Sequence, residues 1–124
     1  NPLLLEYNKK IELDPVKKTI YIFYLQHLEG IRLKDRPAYY QEFRQIYLNV
    51  VKTGEMNNID KTLDAIVNLE SNRFNEELSR INKEINKELA PKMADMYRIK
   101  GKRGDLYRIH LDKSKIHLPA VLKI

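Results

Sequence analysis

The sequence contains no cysteine. This absence excludes disulfide bonds, catalysis by a thiol and zinc sites built from thiolates. A secreted domain of this size often needs disulfide bonds for stability, so we expect the protein to lie in a reducing compartment, the cytoplasm.

Long apolar segments are also lacking. No apolar run approaches the roughly 18 residues that a membrane-spanning helix needs, so we expect no contact with a membrane. The apolar segment that follows Asn1 and Pro2 is too short for a signal peptide and lacks its basic flank. The chain begins with Asn instead of Met, and we interpret residues 1–124 as a single domain of a longer protein.

The motifs of the common catalytic sites are missing as well. The 3 histidines, His27, His110 and His117, have none of the spacings by which paired histidines bind a metal. The sequence contains no glycine-rich phosphate loop and no nucleophile elbow. We therefore expect no enzyme activity, no catalytic metal and no cofactor in this chain.

The charged residues that are present are unevenly distributed. The net charge is +6, and the shares of hydrophobic (43%) and charged (32%) residues are typical of a globular domain. Residues 1–91 contain 14 basic and 14 acidic side chains, whereas residues 92–124 contain 9 basic and 3 acidic ones. Such a basic segment favours an anionic partner, most often nucleic acid. The alternative is that these charges only keep the segment solvated.

The first long element that the sequence predicts is a helix after Asp14 and Pro15. Asp is a favoured N-cap, and Pro fits the first helical position because its missing N–H has no helical partner. The helix is apolar on most of its faces, so we expect it to be the most buried element, with Gly30 ending it. Short strands are predicted before and after it, over residues 9–13 and 31–33.

Three more helices are predicted by their N-terminal signals. Asp35 and Pro37 indicate the start of the second helix, and residues 54–58 are rich in turn formers that indicate a loop. Asp60 and Ser71 indicate the N-caps of the third and fourth helices. The fourth has a narrow apolar stripe, so we expect only one edge of it to be buried.

The periodicity changes from helical to alternating after Pro91. Residues 97–100 and 106–111 alternate between polar and apolar, and a basic turn with Gly101 and Gly104 joins them. This pattern predicts a β-hairpin. The sequence as a whole predicts a mainly α fold with a small antiparallel β-hairpin, in the order strand, helix, short strand, three helices and hairpin.

Four segments form a further pattern through their order along the chain. They are Ile11-Glu12-Leu13-Asp14-Pro15, Gly30-Ile31-Arg32-Leu33, Leu78-Ser79-Arg80-Ile81-Asn82-Lys83-Glu84-Ile85 and Arg103-Gly104-Asp105-Leu106-Tyr107-Arg108-Ile109. In this order they resemble the two strands around the first helix, the recognition helix and the wing of the OmpR/PhoB-type winged helix-turn-helix domain, the effector domain of many response regulators. The resemblance implies a winged helix that binds DNA within a transcriptional or regulatory protein.

The resemblance implies two groups of side chains for contact with double-stranded DNA. On the fourth helix the candidates for bases and phosphates are Arg73, Asn75, Arg80, Lys83 and Lys87. On the hairpin the candidates for the phosphate backbone are Lys100, Lys102, Arg103 and Arg108. Arg suits guanine and Asn suits adenine in the major groove, whereas cations at a hairpin tip reach phosphates or the minor groove.

The fourth helix departs from the family at several positions. Asn82 and Glu84 stand where the family is usually basic, and residues 71–89 carry four basic and four acidic side chains. Carboxylates beside phosphates are repelled. The spacing of Glu76 and Arg80, like that of Glu84 and Lys87, instead predicts ion pairs on an exposed helix surface.

An alternative function therefore stays open, a winged-helix module for protein–protein interaction within a larger regulatory protein, without DNA binding. A third possibility is a purely structural module of a larger enzyme. The exposed face of residues 71–89 distinguishes the first two. A positive surface continuous with the hairpin favours DNA, and an apolar patch favours a protein partner.

Overall fold

The computed structural model describes residues 3–4, 10–51 and 58–111, a mainly helical chain with a small three-stranded antiparallel sheet. The helices are α1 (Pro15–Gln26), α2 (Tyr40–Val50), α3 (Ile59–Val67), α4 (Arg73–Glu88) and α5 (Pro91–Tyr97), with a 3₁₀ helix (Leu33–Tyr39) before α2. The strands are β1 (Leu3–Leu4), β2 (Lys10–Ile11), β3 (Ile31–Arg32), β4 (Ile99–Gly101) and β5 (Leu106–Ile109). Of the predicted loop only Asn58 is described, and residues 112–124 lie outside the described part.

Helix α1 lies at the centre of the core, as the sequence predicts. Asp14 Oδ1 accepts a hydrogen bond from the backbone N–H of Lys17 at 3.0 Å, and Pro15 occupies the first helical position. Residues 18–24 are all buried. The Phe23 ring stacks on a ring of α2, with 4.1 Å between their centroids, so aromatic packing joins the two helices.

The predicted role of Gly30 is wrong, because α1 ends at Gln26, four residues earlier. Gly30 lies in the turn before β3 with φ +98°, a conformation that side chains disfavour. A Cβ on Gly30 would lie only 3.1 Å from both the Leu106 Cβ and the Tyr107 carbonyl oxygen. The glycine therefore permits the close approach of this turn to β5.

The second predicted helix begins later than Asp35 and Pro37 indicate. Its first part is the 3₁₀ helix, because Pro37 donates no hydrogen bond and its ring would clash with the carbonyl four residues earlier in an α-helix. Arg36 in this segment is only 4% exposed. Its guanidinium donates hydrogen bonds to the carbonyl oxygens of Leu33 (2.8 Å), Ile66 (2.8 Å) and Asn68 (3.1 Å). The latter two carbonyls lie at the C-terminal end of α3, where the helix itself offers them no donor.

The predicted N-caps of the next two helices are each displaced. Asn58 precedes α3, so Asp60 lies inside its first turn and does not cap it. Helix α4 begins after Asn72, and Ser71 Oγ accepts from the Arg73 N–H at 3.1 Å. Both helices nevertheless bury the apolar stripes that the periodicity predicts.

Helix α5 is absent from the sequence prediction. Pro91 occupies its first helical position, where a missing N–H costs nothing, and the helix extends to Tyr97. The expectation that residues 97 and 98 belong to the hairpin is therefore wrong. Tyr97 is buried and its carbonyl oxygen accepts a hydrogen bond from the Tyr21 hydroxyl at 2.8 Å.

The three-stranded sheet has the order β3-β5-β4, and both strand pairs are antiparallel. Its inner face carries Ile31, Ile99 and Ile109, which are buried in the core. Side chains alternate between the two faces of a strand, so the intervening residues lie on the outer face. The β4–β5 hairpin predicted by the sequence is confirmed, with shorter strands.

Candidate nucleic-acid interface

The turn of the β4–β5 hairpin presents two cations to solvent. The backbone N–H of Asp105 donates to the Lys102 carbonyl oxygen at 2.9 Å, and Gly104 has φ +82°. Lys102 and Arg103 are exposed, and neither side chain forms an ion pair or hydrogen bond with any residue that the structure describes. Both predicted tip residues are therefore free to bind an anion.

The outer face of the sheet extends this basic surface away from the turn. The strand register places Lys100 opposite Arg108 and Arg32 opposite Leu106. Arg32 and Arg108 are exposed, and Arg108 has no ion pair within the described chain. The sequence analysis missed Arg32. The alternation of residues 31–33 was the signal that placed it on the solvent face, but only the register brings it beside β5.

A shallow concavity of about 470 Å³ lies on this outer face. It is lined by Lys100, Gly101, Lys102, Asp105, Leu106, Arg108 and His110. Burial, together with the positive charges of Arg108 and Lys100, lowers the pKa of the His110 imidazole. His110 was also missed by the sequence analysis, which considered the histidines only as metal ligands.

One carboxylate partly neutralises this surface. Asp95 Oδ1 accepts a hydrogen bond from Lys100 Nζ at 2.8 Å and another from Arg98 at 2.8 Å. The hydrogen bond and charge of Lys100, followed by the charge of Arg98, lower the pKa of Asp95. Lys100, a predicted phosphate contact, is thus already paired with Asp95, whereas the side chains of Lys102, Arg103 and Arg108 have no such partner in the part of the chain that the structure describes.

On α4, a buried carboxylate determines which of the predicted cations are free. Glu77 is only 2% exposed, and its carboxylate lies 2.9 Å from Arg73 Nε, 3.0 Å from Lys17 Nζ and 3.9 Å from Arg80. Arg73 and Arg80 therefore help to balance Glu77. The predicted ion pairs Glu76–Arg80 and Glu84–Lys87 are not found among the described residues.

The other predicted residues of α4 are available for contact. The side chains of Asn75, Lys83 and Lys87 are exposed and form no hydrogen bond or ion pair within the described chain. Because Glu77 faces the core, the even balance of charges over residues 71–89 does not describe the surface of the helix. Its exposed charged side chains are Arg80, Lys83 and Lys87 against Glu76 and Glu88.

Asn82 joins α4 to the hairpin. Its side-chain amide donates to the Ile99 carbonyl oxygen and accepts from the Ile99 N–H, both at 2.9 Å. Since β4 is an edge strand, the amide occupies the place of a neighbouring strand. Nearby, Arg98 donates to Asn86 Oδ1 at 2.5 Å. The two hydrogen bonds to Ile99 thus explain the uncharged residue at position 82.

Large apolar side chains are not exposed on residues 71–89. The exposed large hydrophobic residues of the described chain are Leu69 (53%) and Leu106 (38%), and neither lies within residues 71–89. The described residues also contain no group of three or more His, Asp or Glu side chains that could hold a metal ion. None of the described helices has the length and apolar composition needed to cross a membrane.

Comparison with known proteins gives no relative for this chain. No protein-family model, no curated protein and no solved structure matches it.

Proposed function

We propose that this chain is a winged-helix domain that binds double-stranded DNA, within a transcriptional or regulatory protein. The β4–β5 hairpin is the wing and contacts phosphates, and α4 lies towards the major groove. The observation that carries the proposal is the position of Lys102, Arg103 and Arg108, three cations on one exposed hairpin whose side chains have no partner among the described residues.

The topology supports the winged-helix part of the proposal. A short strand follows the first helix, the candidate recognition helix precedes the hairpin, and the second hairpin strand pairs with that short strand. This arrangement places the hairpin beside α4, to which Asn82 fixes it. Helix α5 is additional to the order implied by the OmpR/PhoB resemblance, so the support concerns the arrangement of the sheet and α4.

The electrostatics support DNA as the partner. Each cation that contacts a phosphate releases condensed counterions, which favours binding at low salt. Arg32 and Arg108 lie on the outer face of the sheet, Lys102 and Arg103 are exposed in the adjoining turn, and Lys83 and Lys87 lie on the exposed side of α4. The exposed face of α4 lacks the apolar patch that a protein partner would favour.

The proposal is tested by fluorescence anisotropy with random-sequence duplex DNA at salt concentrations from about 50 to 300 mM. The double variant Lys102→Ala/Arg103→Ala should bind more weakly than the parent. The slope of log K against log salt is negative, and each lost phosphate contact reduces its magnitude by about 0.9. The slope of the double variant should therefore be shallower by about 1.8.

A matched control removes two cations from elsewhere. Arg44 on α2 and Lys61 on α3 lie outside the sheet and α4, so Arg44→Ala/Lys61→Ala changes the net charge equally. This control should keep the parent slope. Equal losses in both double variants would show attraction by net charge alone and refute the wing, and no binding at the lowest salt would refute DNA contact by this domain.

A further inference from the structure

The outer face of the sheet holds more positive charge than its own carboxylates balance. Lys100 and Arg108 stand directly opposite each other on neighbouring strands, a placement that destabilises a sheet when the charges are alike. Asp95 compensates Lys100 at 2.8 Å, but Arg108 has no ion-pair partner among the residues that the structure describes. Arg108 is therefore available to bind an anion at this face.

The residues around His110 determine its response to such an anion. Arg108 on β5 and Lys100 on β4 disfavour the imidazolium, Asp95 on α5 favours it, and Lys102 and Asp105 line the same concavity. A phosphate in the concavity would offset the two cations and accept a hydrogen bond from the imidazolium. Binding and protonation would then favour each other.

We propose that this outer face is itself a phosphate-binding site, in which Lys100, Arg108 and His110 bind one phosphate group while His110 takes up a proton from solvent. The ligand class is the phosphate oxyanion. The proposed function supplies its source, the backbone of DNA, and the inference rests on that function only for the source. Lys100 and Arg108 lie on the strands and His110 directly follows β5, whereas Arg103 lies in the turn.

The test follows the titration of the His110 ring by NMR, with the parent and three variants. His110→Gln assigns the resonance among the 3 histidines. Pyrophosphate is the probe for free phosphate, and a duplex of about 16 base pairs is the probe for the nucleic-acid backbone. Both should move the titration midpoint of His110 to higher pH. The shift should vanish in Arg108→Gln and persist in the control variant Arg44→Gln.

Binding affinity gives a second readout. The duplex should bind the parent at least about threefold more tightly at about pH 5.5 than at about pH 8, because the bound state holds the extra proton. His110→Gln should lose this difference.

The outcomes separate the inference from the proposed function. A midpoint that pyrophosphate raises, with no binding of the duplex, would support the phosphate site and refute DNA as its source. Tight duplex binding that leaves the His110 midpoint unchanged would overturn the inference and leave the proposed function intact. A midpoint that neither probe moves would also overturn the inference.

Discussion

The two hydrogen bonds between Asn82 and Ile99, which join α4 to the hairpin, predict a large loss of stability in Asn82→Ala. The variant removes two hydrogen bonds of 2.9 Å, each worth about 1 kcal/mol net. It also leaves the N–H and carbonyl of Ile99, a residue only 2% exposed, without their side-chain partner, at a further cost of about 1 kcal/mol or more. We therefore expect a loss of about 3 kcal/mol in the free energy of unfolding, a substantial part of the roughly 5–15 kcal/mol of a typical domain.

Urea unfolding of the parent and two variants measures this loss. Asn75→Ala is the matched control, because Asn75 lies on the exposed face of the same helix and has no partner among the described residues. It brings the same gain in helix propensity and should change stability by no more than about 0.5 kcal/mol.

Hydrogen exchange gives an independent readout of the same contact. The backbone amide of Ile99 should exchange slowly in the parent and much faster in Asn82→Ala, because Asn82 Oδ1 accepts a hydrogen bond from this N–H. If Asn82→Ala matches Asn75→Ala in stability and the Ile99 amide stays protected, the stabilisation of the hairpin by the Asn82 side chain is refuted.

Three further predictions concern the core and the N-terminus of α1. Arg36→Met should lose about 3 kcal/mol in urea unfolding, because three carbonyl oxygens lose their buried donor, and Arg36→Lys should recover only part of that loss. Tyr24→Phe should leave stability unchanged or raise it by up to about 1 kcal/mol, since the buried hydroxyl has no partner in the described chain. Tyr21→Phe, which loses the 2.8 Å bond to α5, should instead cost about 1 kcal/mol, and the reverse order of these two variants would contradict the packing. Burial would raise the pKa of Asp14, but the hydrogen bonds and charge of Lys17 outweigh it and lower that pKa. The stabilisation by Asp14 should thus be complete above its unfolded pKa and disappear as pH falls through its folded one, so the difference between parent and Asp14→Asn in thermal unfolding should shrink below about pH 4, and a difference that grows in acid would contradict the assignment.

Local sequence signals predict the helices and strands of this fold better than they predict the contacts between these elements. Asp14 and Pro15 specify the start of α1 through their own side chains, and the alternating segments with glycines in the turn specify the hairpin. Helix α5 escaped prediction because Pro91 serves equally as a signal that follows a helix and as a first helical residue. Seven residues are too few for a periodic pattern to decide between the two.

The candidate site likewise combines residues that local sequence signals predict with residues that depend on tertiary contacts. The cations of the hairpin tip are exposed because turns lie at the surface, so the sequence alone predicts them. The burial of Glu77, in contrast, depends on Lys17 of another helix, and the position of Arg32 beside β5 depends on the strand register. The charge of α4 was therefore misjudged from composition, since a carboxylate facing the core was counted with the surface.

The most direct test of the central claim is a map of the DNA contact surface by NMR. Amide chemical shifts of isotope-labelled protein are followed as a short duplex is added at low salt. We expect the largest changes along β4 and β5, at the turn with Lys102 and Arg103, and on the exposed side of α4 around Lys83. Changes confined to the surface around Leu69, or none at saturating DNA, would contradict DNA binding by the hairpin and α4.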